Sequence, residues 1–528
     1  MNTTQFVKTN HIFILLIVFL IFTTTIGIIY IHSVHMNNGH FAYFLDDAYI
    51  HLAVAKHLAQ NGVFGITKYS FSSSVSSILW PLLEGLVMKI VGVNDLIPLY
   101  LNIVFGNLLL LVSFIILKRH KLSNKWLFIS LCIILYCLPL PLLIFQGMEH
   151  VLQILIDIVF IYSFHLVVML KSSKAEKGLL ILAPLVTMIR YEGLALVFSI
   201  AILLFLYKKY KLGLSIIILS IIPLIIFGII SIHYGWHFIP NSLLVKGGTG
   251  LMNAFGLLFT PKKLIISSLC FLSICIAYIL DRRNKGFILY FSHFRDIIII
   301  LIPLVLIAFL EGFNFRYESA LIYLLIIIGT IFINERTFIK FSNKPSRLLL
   351  VLLLVMMLIL IFGLGYRLGY RTYASIDKYL YASNNIYTQQ YQMANFLKNY
   401  YNGSVVALND IGIVNYELDI HLIDLAGLGS LNKTYVHSKM DSLQEMRDLI
   451  LNNNTDLIII YDSWFKQNIP KEWFKVAIWN TTNHNVTLGD DKVSFYAIDY
   501  NKALLLQNNL KEFESFLPPQ IRVQYYNF

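Results

Sequence analysis

The chain has 528 residues, 57% of them hydrophobic and 13% charged, with a formal net charge of +12, and its mean hydropathy is +0.70. That composition excludes a soluble globular protein and calls for an integral membrane protein with many spans. The basic residues fall in short clusters between apolar runs, a topology signal that excludes a nucleic-acid-binding face.

The runs that predict membrane helices are, in chain order, 12–31, 96–117, 126–145, 150–170, 178–190, 193–207, 213–232, 263–280, 297–311, 318–333 and 347–366, about eleven in all. The first follows Lys8 without a small-residue cleavage site, so it is expected to be an uncleaved signal anchor. Basic clusters lie at Lys118 to Lys125, Lys171 to Lys177, Lys208 to Lys211, Arg282 to Arg295 and Arg336 to Arg347. With these in the cytoplasm the spans alternate consistently, the N-terminus is cytoplasmic, and residues 32–95 form the first outer loop. Residues 178–207 have basic flanks at both ends. The chain must therefore cross twice there, turning outside at Arg190-Tyr-Glu192-Gly193. The same parity places everything after about Tyr370 outside. Cys132, Cys137, Cys270 and Cys275 all lie in apolar segments, where they act as small hydrophobes without a disulfide or metal pattern.

From 371 the sequence turns polar and Asn-rich. Short apolar runs at 404–408, 421–425, 457–461, 476–478 and 494–498 predict strands; 385–400 and 442–452 predict helices. The expected organisation is a membrane domain over 1–370 and a small extracytoplasmic α/β domain over 371–528 with a partly parallel sheet.

On this topology the unusual polar residues collect on the outer side. Asp46 and Asp47 stand side by side beyond the first span, where each carboxylate would cost about 2.5–3.5 kcal/mol at a bilayer centre. Glu149 and His150, Arg190 and Glu192, Asn241 and Lys246, and Arg316 and Tyr317 follow on the same side. Each alone has an ordinary account: Glu149 can serve a helix N-terminus, and Arg316 can snorkel. Together they describe an outward cavity holding acids and cations. Transfer of a sugar from a lipid phosphate needs that mixture. A carboxylate takes the acceptor hydroxyl's proton, and Arg or Lys stabilises the departing phosphate. Direct displacement inverts the anomeric carbon. If a helix begins at residue 46, the two aspartates point about 100° apart and take different roles. His51, four residues after Asp47, shares its face.

These residues, in this order, resemble the GT-C superfamily of membrane glycosyltransferases that use polyprenyl-phosphate sugars, closest to the bacterial branch of terminal arabinofuranosyltransferases and mannosyltransferase-like proteins. The likeness runs from about residue 10 to 430. It rests on Asp46-Asp-Ala-Tyr-Ile50, Ser76-Ser-Ile-Leu-Trp80, Gly147-Met-Glu149, Arg190-Tyr-Glu-Gly193, Pro240-Asn-Ser-Leu-Leu-Val-Lys246, Arg316-Tyr317, Asp410-Ile-Gly412 and Ile423-Asp-Leu-Ala-Gly-Leu428. The chain departs from the family pattern at Tyr191, at Glu318-Ser-Ala and at His150; these departures leave the sugar open rather than the reaction.

The resemblance implies a GT-C fold in a bacterial inner or plasma membrane, with Asp46 and Asp47 as the catalytic pair. Glu149, Arg190, Glu192, Asn241, Lys246, Arg316 and Tyr317 would bind donor and substrate, with His51 and His150 auxiliary. The expected partners are a polyprenyl-phosphate sugar and a cell-envelope glycan, lipid or protein acceptor. No metal site is expected and no cofactor is obligatory, although the acids leave room for a divalent cation. Two other classes compete. A lipid-sugar flippase would place charges at mid-membrane and show related halves, and the sequence has neither. A non-catalytic envelope-assembly protein would use the outer α/β domain alone.

Overall fold

The computed structural model describes residues 3–247, 295–305, 316, 318–334, 376–429, 443–466 and 468–528. The helices are α1 (Thr3–Met36), α2 (Asp46–Asn61), α3 (Leu79–Val91), α4 (Ile97–Arg119), α5 (Asn124–Cys137), α6 (Leu140–Phe145), α7 (His150–Met169), α8 (Ser173–Ile189), α9 (Gly193–Leu206), α10 (Tyr210–His233), α11 (Asn241–Gly247) and α12 (Ser319–Asn334). Residues 295–305 are also helical. Among the described residues four helices are long and apolar enough to cross a membrane: His11–Met36 of α1, α4, α7 and α10. The chain is thus a largely helical membrane protein. Asn124–Cys137, Gly193–Leu206 and Ser319–Ile331 are apolar but shorter.

The run expected at 126–145 is broken between α5 and α6. Pro139 has no N–H to give the helix and its ring crowds the preceding turn. The turn expected near 190–193 is present between α8 and α9. The spans expected at 263–280 and 347–366, and residues 306–311, lie outside the described residues, as do Cys270 and Cys275.

The chain forms two compact units, one of Met1–Ser74, Trp80–Val151 and Tyr323–Phe528, the other of Val75–Leu79 and Leu152–Ile322. In the first, α1, α4, α5 and α6 pack together, with Thr25 Oγ1 and Tyr136 OH 3.1 Å apart and Ser113 Oγ bonded to Tyr323 OH on α12. In the second, α8 and α10 pack along their lengths, and Thr187 Oγ1 donates to Ser220 O at 2.7 Å. Tyr207 OH donates to Asp296 Oδ2 at 2.6 Å.

The C-terminal part of the first unit is a small α/β fold. Helix α13 (376–400) leads into β1 (Val405–Leu408), α14 (Gly412–Glu417), β2 (His421–Asp424), α15 (Leu443–Asn452) and β3 (Leu457–Ile460). Then come α16 (Asp462–Phe465), β4 (Phe474–Thr481), β5 (Lys492–Ala497), α17 (Tyr500–Phe513) and β6 (Ile521–Tyr525). The strand order is β2-β1-β3-β5-β4-β6. β1 pairs in parallel with β2 and β3, and the remaining pairings are antiparallel. All four β3 residues are buried and β1 is nearly so, as unbroken apolar strands covered on both faces should be. The strands expected from sequence are present; α14, α17 and β6 were not expected.

β1 lies between the strands that follow it on either side. The carboxyl end of β1 is therefore a topological switch point, the place where open α/β sheets present residues to a ligand. Asn409, Asp410 and Ile411 occupy that end.

Candidate acidic site

Helix α2 opens directly on the two aspartates. Leu45 before it has extended backbone and no capping side chain, so Asp46 and Asp47 are the acids at the positive end of the helix dipole. The sequence positions them there, and tertiary contacts then separate their roles. Asp46 Oδ2 accepts from Gly412 N at 2.7 Å and Oδ1 accepts from Ile413 N at 3.0 Å. Both carboxylate oxygens therefore satisfy backbone N–H groups at the start of α14, donors that a helix leaves open. The approach is close: a Cβ on Gly412 would overlap the Asp46 carboxylate and its backbone carbonyl.

Asp410 precedes Gly412 by two residues. Its Oδ2 accepts from Gln390 Nε2 at 2.8 Å and from the Tyr461 hydroxyl. Tyr461 N donates to Asn409 Oδ1 at 2.9 Å, tying the end of β3 to the end of β1. Gln389 and Gln390 sit on a π-helical turn, Tyr387–Tyr391, inside α13. The wider turn brings both amides inward, Gln390 to Asp410 and Gln389 Oε1 to Tyr461 OH. Burial, and then the charge of Asp410, push the Asp46 carboxyl up to about 7. Burial also raises Asp410, against the pull of its Tyr461 and Gln390 bonds. Asp424, at the end of β2, is raised by burial to about 6, although its oxygens accept from Ala426 N and Gly429 N.

The Gly-Met-Glu turn meets this end of α2. Gly147 has φ +68°, and a Cβ there would come within 2.7 Å of the Tyr43 ring and 3.0 Å of Ala48. Only glycine fits on both counts. Trp80 Nε1 donates to Gly147 O at 3.1 Å and Asn102 Nδ2 to Met148 O at 3.0 Å, so the turn is pinned by α3 and α4. Glu149, His150 and His51 are buried. Glu84, one helical turn after Trp80, is fully buried as well; burial and the Glu149 carboxyl push it well above the usual carboxylate range.

The α/β region holds onto this part of the chain along a broad front. Lys56 Nζ donates to Tyr416 O at 2.7 Å and Lys68 Nζ to Asp419 Oδ2 at 2.9 Å. The Tyr69 and His421 rings stack at 4.3 Å. Ser383 Oγ donates to Ala42 O at 2.7 Å, and Asn384 Nδ2 to Met36 O at 2.9 Å.

The expected cationic residues fall in the second unit. There the Arg190 guanidinium forms a fork with Glu192, Nη2 to Oε1 at 2.7 Å and Nε to Oε2 at 3.2 Å. Segment Val75–Leu79 runs beside it, with Ile78 N donating to Met188 O at 3.0 Å. Ser242 Oγ, next to the buried Asn241, donates to Val75 O at 2.9 Å. One short segment thus touches the chain beside Arg190 and beside Asn241. Arg316 is half-buried; Tyr317 and the Lys246 side chain lie outside the described residues.

Of the expected site residues, the structure sets Asp46 and Asp47 at the start of α2, whose Ala48 meets Gly147, and separately pairs Arg190 with Glu192. Asp410, Tyr461, Gln390 and Glu84 were not expected as site residues. Asp410 had a signal, an acid two residues before a glycine after an apolar strand. Glu84 had one too, a lone acid in a helix that is apolar apart from Lys89.

A family model described as a domain of unknown function, DUF8728, matches residues 384–496, which include Gln390, Asp410 and Tyr461. No curated protein matches the chain.

Proposed function

We propose that this protein is an inverting GT-C-type glycosyltransferase with about eleven spans in a bacterial plasma membrane, moving a sugar from a polyprenyl phosphate to an envelope glycan, lipid or protein on the outer side. The observation that carries the reading is the acidic start of α2: Asp46 and Asp47 open the helix and the next residue, Ala48, meets Gly147 of the Gly147-Met-Glu149 turn, in a part of the chain that composition and basic loops set outside the membrane. The order of the sequence motifs, and the Arg190–Glu192 fork, support the donor side.

The two carboxylates divide the work. We assign the base to Asp47 and a holding role to Asp46, whose oxygens both accept backbone N–H groups of Gly412 and Ile413. It takes the hydroxyl proton as the acceptor oxygen bonds to the anomeric carbon, a step worth about 10²–10⁴-fold in rate. The bond from that carbon to the phosphate oxygen breaks on the opposite face, and the electron pair leaves with the phosphate. Arg190, Lys246 and Arg316 hold that charge. Glu149, Glu192, Asn241 and Tyr317 orient sugar hydroxyls, with His51 and His150 behind them.

Purified protein in lipid, given a panel of radiolabelled polyprenyl-phosphate sugars and crude envelope acceptor, should transfer label from one donor with inversion at the anomeric carbon. Label released with retention, or sugar lipid crossing vesicles without any acceptor, would refute the reading.

A further inference from the structure

We propose that Asp410 of the α/β region is a positioning residue of the acidic site: with Asp46 it forms a carboxyl pair that holds one proton, and that proton keeps Asp46 seated on Gly412 and Ile413. The α/β region is then a working part of the site rather than an appended binding module.

Three features of the contact support this. First, it occurs at the sheet's switch point, the carboxyl end of β1 between β2 and β3. Just beyond that end, where other open α/β sheets present residues to a ligand, Gly412 N donates to a carboxylate 366 residues away in sequence. Second, Gly412 lets α2 approach so closely that a side chain at this position would force the contact apart. Third, the two acids are held by different donors. Asp410 accepts from Tyr461 and Gln390, on β3's end and α13, which favours its ionised form. Asp46 accepts from backbone N–H groups alone among the bonds described for its oxygens. Asp410 stands two residues before the N–H group that Asp46 accepts from, its charge raises Asp46, and two acids so placed do not both ionise readily.

The groups acting on Asp46 are Asp410 from the β1–α14 loop and Asp47 from its own helix, with the Gly412 and Ile413 N–H groups favouring its ionised form. Tyr461 from the end of β3 and Tyr49 from α2 feel its charge in turn. Burial and Asp410 raise the docked Asp46 carboxyl to about 7. A carboxyl raised by docking binds its proton more tightly in the docked state. Its contribution to docking is therefore complete below the ordinary carboxylate value and is lost as pH rises through about 7. The grip of the α/β region on α2 slackens as Asp46 ionises beside Asp410. The consequence for catalysis, Asp47 acting beside a seated Asp46, rests on the glycosyl-transfer reading; the carboxyl pair does not.

The test is an infrared titration of the full chain in lipid, following the carboxylic-acid C=O stretch as the wild-type minus Asp46→Asn difference. The Asp46 band should titrate near pH 7, its midpoint should fall by about one unit or more in Asp410→Asn, and Asp47→Asn should move it less. If Asp46→Asn does not fold, the carboxylic-acid band whose midpoint moves in Gly412→Ala identifies the same group. An Asp46 band that titrates in the ordinary carboxylate range, or a midpoint unmoved by Asp410→Asn, would overturn the proposal. Neither readout uses donor or acceptor, so failed transfer and a failed carboxyl pair are separate results.

Discussion

The acidic end of α2 and the Arg190–Glu192 fork both hold partly or fully buried charged side chains, yet they satisfy them in opposite ways. Arg190 answers Glu192 with two hydrogen bonds between opposite charges, and no proton need move. At α2, Asp46 meets backbone N–H groups and a second acid, so its neutralisation depends on a proton. The lesson is that the Arg190–Glu192 fork should be indifferent to pH near neutrality while the acidic end of α2 should not. The fork suits a permanent anion holder, and the acid pair suits a site where protons are handled.

The largest effect expected from breaking this contrast is at the fork. Arg190→Ala leaves Glu192 in a half-closed site without its counter-ion, costing about 3 kcal/mol of stability, and should lower transfer more than 100-fold through the donor term. A thermal melt and the donor KM check the two parts. Arg190→Lys keeps the charge but loses the fork, so it should rescue the melt only partly.

On the acidic side, Gly412→Ala should cost about 2 kcal/mol by overpacking against Asp46. Hydrogen exchange should rise over residues 409–418 and not over the spans. Asp46→Asn should flatten the pH dependence of stability between about pH 4 and 7, where the wild type loses Asp46's contribution as pH rises; melts at a series of pH values read this directly. The smallest effect should come from Lys56→Met. It removes one bond to Tyr416 O from a cation whose own charge is disfavoured by burial, worth about 1 kcal/mol.

Much of this was legible in the sequence because it depends on local rules. Asp46 and Asp47 begin α2, the turn at Arg190 separates two apolar helices, and the apolar strand runs of the C-terminal part fall where expected. What stayed hidden depends on distant partners. Gly412-Ile-Val-Asn-Tyr-Glu417 is short and rich in β-branched and aromatic residues, a poor helix by propensity, and it is held as α14 by a carboxylate from α2. The π turn that swings Gln389 and Gln390 inward has no sequence signature of its own. Glu84 lies within residues 32–95, which read as an outer loop in sequence, whereas the structure makes Leu79–Val91 a helix and buries the acid completely. β6 carries an alternating pattern, Ile521-Arg-Val-Gln-Tyr525, that strand periodicity could have found.

The most direct test of the division between the two aspartates is the transfer rate of Asp47→Asn and Asp46→Asn across pH, each shown to be folded. Asp47→Asn should lose at least about 100-fold at every pH, while Asp46→Asn, which keeps a carbonyl oxygen for the α14 N–H groups, should retain substantial transfer with an altered pH profile. The reverse pattern, a dead Asp46→Asn beside an active Asp47→Asn, would contradict the account and make the docked carboxylate the base.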